Sequence, residues 1–303
     1  MTWSIINSET GKINSRNSNY QLSVNNKLTE SDQDVAMVFE KYFTDIPILT
    51  TKSLNSSHAV AESLLTQNVN ACRKNFTFHK VSSKDIVKYF KTIDVKKTAD
   101  LWGISVKVIA SIDTIVPHLA IIFNTSIESG VFPDLMKYSK VIPLFKSGST
   151  LDPAIRPISV LPTLSNIFEK IILDQMLNFF NINNLLHKNQ FGFTRGRSTT
   201  DAGVELIKYI FNAWENSQDG LGIFCDLSKA FDCVHYETLF RKLQHYGVRS
   251  DALKLIISYL SKRMQKVVIN SMSSPGRWYK WACFKAQFSA PFCFLYTLMT
   301  YLT

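Results

Sequence analysis

The sequence lacks the features of secreted, membrane-spanning and metal-stapled proteins. Its first residues are polar and contain no apolar core of a signal peptide. Its longest apolar run, Phe292–Leu302, is shorter than the ~20 residues that cross a bilayer. Its five cysteines are scattered, odd in number and without metal-site spacing, so we expect no disulfide and no zinc. These absences favour a soluble intracellular protein in a reducing compartment.

Acidic residues are also scarce relative to basic ones. The 303 residues include 34 Lys and Arg but 24 Asp and Glu, which gives a formal net charge of +10. The hydrophobic share of 46% is enough to bury a sizeable core. A basic surface predicts a polyanionic partner, although many basic proteins never bind nucleic acid.

The segment that organises the rest of the chain is Gly222–Val234, which reads GIFCDLSKAFDCV. Its apolar residues Ile223, Phe224 and Cys225 predict a buried strand that ends at Asp226, followed by a turn into a helix. A carboxylate at the rim of a sheet suits Mg²⁺, which binds through one or two carboxylates and substrate phosphates. The alternative is an ordinary strand followed by a capped helix.

A basic hairpin is predicted between residues 137 and 159. The run KYSKVIPLFK predicts a strand with lysines at its ends, Gly148 predicts a turn, and RPIS follows as a second extended piece. Lys146 and Arg156 would lie at the tip, where they are suited to binding phosphates. The alternative is two solvated charges that flank a turn.

The run Gln190–Thr199, QFGFTRGRST, alternates aromatic residues, glycines and arginines. This composition is suited to backbone and base contacts on a nucleic acid. The alternative is a glycine-rich turn with two exposed arginines.

Apolar periodicity predicts helices along most of the remaining chain. The first begins after Ser31 and stops at Pro47, residues 48–75 form a polar linker, and a second helix begins at Ser82. Pro117 is expected to end or kink a helical stretch over 104–130. Three further helices are predicted over Leu164–Phe180, Tyr236–Tyr246 and Asp251–Leu260. Another helix is predicted to begin at a cap, Thr199 or Thr200, and to end at Trp214. A strand is predicted over Lys262–Asn270. In the helix that ends at Trp214, the predicted inward residues are Ile207, Ile210, Phe211 and Trp214.

Several of these motifs together resemble the reverse transcriptases of non-LTR, jockey-like LINE retrotransposons. The matching runs are TWSIINSETGK, FEKYFTDI, KKTADLWGIS, VIPLFKSG with RPISVL, QFGFTRGRST, CDLSKAFD and SYLSKRMQKVVIN. The resemblance implies an α+β fold with right-hand polymerase fingers and an incomplete palm, mostly helical with a small antiparallel sheet. It implies RNA-directed DNA polymerisation with an RNA template, a DNA primer, deoxynucleoside triphosphates and Mg²⁺, in the cytoplasm, the nucleus or both.

The resemblance also assigns roles to individual residues. Asp226 would be a catalytic, metal-binding aspartate. Lys146, Arg156 and Phe231 would contact the incoming nucleotide, with Phe231 against its sugar. The residues implied in nucleic-acid binding are Lys140, Gln190, Arg195 and Arg197.

The resemblance stops near residue 270. The family's Gly-Val-Pro-Gln-Gly-Ser and Tyr-X-Asp-Asp motifs are missing, and we interpret the runs from Cys283 and Tyr296 as those motifs read out of frame. We therefore expect a frameshift between Ser271 and Cys283, a fragment of a longer protein, and no polymerase activity from this chain alone. The expected division is a lead-in with one helix at 1–75, fingers at 76–200, the start of the palm at 201–270 and an out-of-frame tail at 271–303. For the tail, the alternative is a divergent apolar segment that packs on the core. For the whole chain, the alternatives are a nucleic-acid-binding remnant without activity and a product that does not fold stably.

Overall fold

The computed structural model describes residues 22–24, 27–52, 58–92, 100–104, 109, 114–144, 156–194, 196–224 and 234–279. These residues form helices connected to one small sheet and one short β-ribbon. The helices are α1 (Asp32–Lys52), α2 (His58–Asn68), α3 (Ser83–Thr92), α4 (Ile115–Ser129), α5 (Thr163–Ile182), α6 (Thr199–Glu215), α7 (Tyr236–His245) and α8 (Ser250–Leu260). The strands are β1 (Ser23–Val24), β2 (Lys27–Leu28), β3 (Tyr138–Leu144), β4 (Arg156–Val160), β5 (Arg263–Ile269), β6 (Met272–Ser273) and β7 (Arg277–Tyr279).

The main sheet is mixed. Strand β3 pairs antiparallel with β4 and parallel with β5, and β5 pairs antiparallel with both β6 and β7. The prediction of an antiparallel sheet is therefore wrong for the β3–β5 pair. A parallel pair needs a crossover connection, and here helices α5 to α8 lie between the two strands in the chain.

Helix α1 covers one face of this sheet. Its residues Val35, Ala36, Phe39 and Phe43 share a buried cluster with the strand residues Val141, Val267 and Ile269. The buried carboxylate of Glu40 accepts hydrogen bonds from the Ser274 hydroxyl at 2.5 Å and from the Gly276 backbone N–H at 2.9 Å. The predicted lead-in segment thus contributes to the same core as the sheet, because its helix supplies four of the eight buried residues of this cluster.

The second and larger core is helical, and α5 lies at its centre. Phe168 on α5 is fully buried and stacks on Phe123 of α4 and on Phe132 at 4.5 and 5.2 Å between ring centroids. Phe132 in turn meets Tyr259 of α8. The prediction of α5 as a core helix is confirmed, since all the apolar residues proposed for its inner face are buried: Ile167, Phe168, Ile171, Ile172 and Met176.

A buried arginine connects the helical core to the sheet. Arg263, the first residue of β5, is fully buried and lies 3.9 Å from the Glu169 carboxylate of α5. Its guanidinium donates to the backbone oxygen of Tyr259 and lies 4.6 Å from the centre of that ring. Breaking a buried ion pair of this kind is costly because it leaves one charge uncompensated.

The N-terminal helix predictions need correction. Helix α1 does not stop at Pro47 but continues through it to Lys52. Pro47 is buried and its helix is packed on the sheet, so packing outweighs the one backbone hydrogen bond that proline removes. The predicted linker over 48–75 is also wrong in part, because it contains α2, whose Leu65 is buried in the helical core.

Pro117 lies at the start of α4, close to the predicted break near Val116, and not in the middle of one continuous helix. Pro117 lies in the first turn of α4, where a backbone N–H has no helical acceptor, so it neither ends nor kinks the helix. The helix runs on to Ser129 and ends at Gly130, which adopts the left-handed conformation with φ of 68°. The start of the predicted stretch, at 105–108 and 110–113, lies outside the described residues.

Two further predictions fail around α6. No residue of α6 is buried, and the residues predicted to face inward are exposed by 52 to 74%: Ile207, Ile210, Phe211 and Trp214. The segment Gly222–Phe224 is not a strand, and Ile223 and Phe224 are 78% and 83% exposed. A strand needs a neighbouring strand and an apolar face needs a cover, and the described part of the chain supplies neither here.

Other elements agree with the sequence. Helix α3 begins after Ser82, whose hydroxyl caps it together with Asp85, and it buries Ile86 and Phe90. Helix α7, helix α8 and strand β5 are confirmed to within one residue at each end. None of the described helices is both long enough and apolar enough to cross a membrane.

Candidate nucleic-acid interface

The two faces of the main sheet differ because successive strand residues point to opposite sides. In β5 the odd-numbered residues from Arg263 to Ile269 are buried and the residues between them are partly exposed. In β3, Ser139 and Val141 are buried and lie on the side that α1 covers, whereas Tyr138, Lys140 and Ile142 are partly exposed. We call the second side the outward face.

Two lysines lie side by side at the middle of the outward face. The parallel register places Lys140 of β3 directly opposite Lys266 of β5. Both side chains are partly exposed, so their stems lie on the sheet while the ammonium groups can reach solvent. Cross-strand neighbours of like charge repel each other in the absence of an anion, which makes the pair a candidate site for a phosphate.

The strands that form this sheet contain no acidic residue. Their sequences are YSKVIPL, RPISV, RMQKVVI, MS and RWY, which together include five basic residues. Two of the five belong to the other side: Arg263 is buried against α5 and Arg277 lies 3.5 Å from Asp45 of α1. The positive charge of Lys140 and Lys266 is therefore not neutralised by neighbours within the sheet.

Arg156 is the first residue of β4, where its backbone pairs with that of Leu144 at the end of β3. The pairing of β3 with β4 confirms the predicted hairpin up to its last described residues. Lys146, which was predicted at its tip, lies outside the described residues. The hairpin thus begins at the lysine pair and leads towards the predicted phosphate-binding tip.

Three aromatic rings lie at the other end of the outward face. Tyr138 and Trp278 both pair with Met264, one on each side, and their ring centroids are 6.4 Å apart. Trp102, from the loop before α4, meets Tyr138 edge to face at 5.8 Å. Trp102 is 49% exposed and Trp278 is 57% exposed.

A buried aspartate fixes the Trp102 loop. Asp100 accepts hydrogen bonds from the backbone N–H groups of Trp102 and Ile104, both at 2.9 Å, through one carboxylate oxygen. Its other oxygen accepts from the N–H of Thr163 at 2.8 Å, at the first turn of α5. The carboxylate thereby attaches the loop to the helical core.

The QFGFTRGRST segment forms a compact loop before α6. Gln190 is buried and donates to the backbone oxygen of Gly192 at 2.8 Å. Arg197 donates to the backbone oxygens of Lys188 and Gln190, and its guanidinium lies 5.3 Å from the centre of the Phe191 ring. Arg195 lies outside the described residues. Gln190 and Arg197, the two described residues of this loop that were predicted to bind nucleic acid, thus both make hydrogen bonds within the loop itself.

The cap of α6 is Ser198 and not Thr199 or Thr200. Its hydroxyl accepts from the Asp201 N–H, and the Asp201 carboxylate accepts from the Ser198 N–H, which forms a capping box. The hydrogen bond from the Ser198 hydroxyl, with the nearby charge of Arg197 as a smaller cause, lowers the pKa of Asp201. The backbone geometry at Ser198 decides the cap, and three consecutive hydroxyl residues in the sequence do not reveal it.

The predicted chemical centre is not among the described residues. Asp226 and Phe231 both lie in the segment 225–233, outside the described residues. Within the part of the chain that the structure describes, no group of three His, Cys, Asp or Glu residues is arranged to hold a metal ion. The assignment of Mg²⁺ to Asp226 therefore depends on the sequence.

Four residues of the outward face were not predicted from the sequence: Trp102, Tyr138, Lys266 and Trp278. The alternation of MQKVVI gave a signal for the face on which Lys266 lies. The sequence gave no signal that β3 pairs with β5, because the two strands are more than a hundred residues apart in the chain.

Residues 146–285 match the sequence model of the family "Reverse transcriptase (RNA-dependent DNA polymerase)". The match includes β4, β5, β6 and β7, and with them Arg156, Lys266 and Trp278. It also includes Asp226 and the loop with Gln190 and Arg197. Tyr138, Lys140 and Trp102 precede it.

Two curated relatives are named as RNA-directed DNA polymerases, or probable ones, of mobile elements. The polymerase from mobile element jockey of Drosophila melanogaster is 30% identical over 165 residues, which cover 54% of this chain and 18% of that protein. The probable polymerase from transposon BS of the same species is 25% identical over 263 residues, which cover 82% of this chain and 28% of that protein. The chain thus spans less than a third of the length of either relative.

Proposed function

We propose that this chain carries a reverse transcriptase domain of the jockey-like, non-LTR retrotransposon type and that it serves RNA-directed DNA synthesis by binding the template and the incoming nucleotide. The observation that supports the binding role is the outward face of the sheet. There, Lys140 and Lys266 lie in register within strands that have no acidic residue.

The proposed partners are an RNA template, a DNA primer and deoxynucleoside triphosphates. Lys140 and Lys266 would bind backbone phosphates of the template, since ammonium groups bind phosphate through charge and not through base identity. Lys146 and Arg156, both predicted at the tip of the β3–β4 hairpin, would bind the triphosphate, for which an arginine offers two parallel N–H groups.

The loop before α6 would lie on the template side. Its Arg197 is exposed but bonded to two backbone oxygens of the same loop, and Gln190 holds the loop from inside. We assign to Gln190 the role of shaping the loop, and to Arg195 and Arg197 contacts on the template side. In this arrangement the architecture would correspond to polymerase fingers and the first part of a palm.

Asp226 is proposed as the metal-binding catalytic residue, with Phe231 against the sugar of the nucleotide. When bound, Mg²⁺ would neutralise charge on the phosphates and activate the attacking oxygen. Two such ions are needed, and one aspartate does not hold both. The sequence contains no Asp-Asp pair, so we expect no primer extension from the 303-residue chain alone.

Primer extension tests this proposal. The purified chain is incubated with an RNA template, an annealed DNA primer, deoxynucleotides and Mg²⁺, in parallel with a chimaera whose residues after Tyr279 are replaced by the corresponding remainder of the jockey polymerase. We expect extension by the chimaera alone, and its loss by at least a hundredfold on Asp226→Asn. Extension by the unmodified chain, or an Asp226→Asn chimaera with full activity, would refute the assignment.

A further inference from the structure

The aromatic row of the outward face has no role in the function proposed so far. It consists of Trp102, Tyr138 and Trp278, and it lies one register step from the lysine pair on the same face, since Tyr138 and Lys140 are two residues apart on β3. A large exposed aromatic surface is costly in water and is commonly a binding site.

We infer that this row is a stacking platform for the unpaired bases of a single-stranded nucleic acid, whose phosphates the lysine pair binds. The inference rests on the proposed function and adds the part of the ligand that the rings would recognise. Every base has a π face, so stacking of this kind is independent of sequence.

The geometry of the rings supports bases as the ligand. The planes of Trp102 and Tyr138 are inclined at 67° and those of Tyr138 and Trp278 at 57°, so the rings do not stack on one another. The centroids are 5.8 and 6.4 Å apart, as in rings that contact each other by their edges, so the row presents separately inclined ring faces and not one flat stack. The row therefore suits bases that are splayed apart, as in a single strand.

The charge of the face supports a nucleic acid over an apolar protein segment. The strands that carry Tyr138 and Trp278 have no acidic residue, and the next outward positions are Lys140 and Lys266. Aromatic rings beside a basic track are the combination by which single strands are bound without sequence preference.

The fold also fixes the row in place. Asp100 attaches the Trp102 loop to α5, as described above. At the other end, Gly276 has a φ of 99°, and a Cβ there would come within 3.1 to 3.2 Å of the Lys266 side chain and the Met264 sulfur. Glycine at this position lets Lys266 lie close beside the strand that carries Trp278.

The test measures the affinity of the 303-residue protein for a fluorescent 12-nucleotide single-stranded RNA and for an abasic oligonucleotide of equal length. The abasic probe keeps the phosphates and lacks the bases. For Trp102→Leu/Trp278→Leu we expect about tenfold weaker binding of the RNA and unchanged binding of the abasic probe. For Lys140→Gln/Lys266→Gln we expect weaker binding of both probes.

The control is Trp214→Leu, which removes a 74% exposed tryptophan from α6 and should leave both affinities unchanged. Each single tryptophan variant is measured as well, with circular dichroism to verify folding, and Trp278→Phe should retain most of the affinity because it keeps an aromatic face. Equal losses for the RNA and the abasic probe, or no loss for either, would overturn the stacking platform. If the lysine variant also binds as the unmodified chain does, the proposed template-binding role fails with it.

Discussion

Helices α5 and α6 have similar sequence patterns and opposite environments. Each has a broad apolar face at helical spacing, and each was predicted to turn that face inward. Helix α5 buries its face against α4 and the residues before β3, whereas α6 has no buried residue among the described parts of the chain. An apolar face predicts that a helix needs a cover, and it does not say which segment or molecule supplies the cover.

The contrast is tested most directly by replacing one phenylalanine of each helix with alanine, Phe168 on α5 and Phe211 on α6. Phe168→Ala on α5 removes a fully buried ring that stacks on two others, and we expect a loss of about 3 to 5 kcal/mol in the free energy of unfolding. Urea denaturation followed by circular dichroism measures it. A loss below about 1 kcal/mol would mean that α5 is not at the centre of the core.

A second prediction concerns the carboxylate by which α1 holds the sheet. Glu40→Ala removes the acceptor of two hydrogen bonds and leaves the Ser274 hydroxyl and the Gly276 N–H without it, so we expect about 2 to 3 kcal/mol of destabilisation. Glu40→Gln keeps an acceptor and should lose less. Equal stability of Glu40→Ala and the unmodified chain would show that α1 is not part of the sheet's core.

The helical core should also show a pH dependence that the exposed α6 does not. Burial lowers the pKa of Lys242 on α7 from 10.5 to about 8, so between pH 8 and 10 the native state binds fewer protons than the unfolded state. The free energy of unfolding should therefore rise by about 2 kcal/mol over that range through this residue. Above pH 10 the effect is opposed, because burial raises the pKa of Tyr246 to about 12 and the unfolded state then loses the proton first.

Comparison of Lys242→Met with the unmodified chain isolates this contribution. The variant should show a flatter stability profile between pH 8 and 10, measured by denaturation at each pH. Parallel profiles for the two proteins would contradict the assignment.

The smallest effect is expected on α6. Phe211→Ala removes a ring that is 52% exposed and contacts Trp214 of the same helix, so we expect a change within about 0.5 kcal/mol. The same denaturation experiment used for Phe168→Ala measures it. A loss as large as that of Phe168→Ala would mean that the α6 face is covered in solution.

Local signals in the sequence were sufficient for most elements. The cap at Ser82, the apolar face of α5 and the alternation of β5 each depend on neighbours within a few residues, and each is found as predicted. The predicted helix end at Pro47 was wrong because the hydrogen bond that proline removes costs little compared with the packing of α1 on the sheet.

Long-range pairing was not predictable in the same way. The register that places Lys140 beside Lys266 joins strands that are far apart in the chain, and Trp102 meets Tyr138 from a loop that Asp100 attaches to α5. The candidate nucleic-acid interface could therefore be predicted as a basic hairpin, but not as a face that combines lysines with aromatic rings. The roles of Asp226, Lys146, Phe231 and Arg195 stay predictions, because these residues lie outside the described ones.

The most direct test of the central claim is the salt dependence of RNA binding. The affinity for single-stranded RNA is measured from low to high salt for the unmodified chain and for Lys140→Gln/Lys266→Gln. If the two lysines bind template phosphates, the slope of log affinity against log salt should become shallower by about 1.4 in the variant. Identical slopes for the two proteins would contradict the claim that the outward face of the sheet binds nucleic acid.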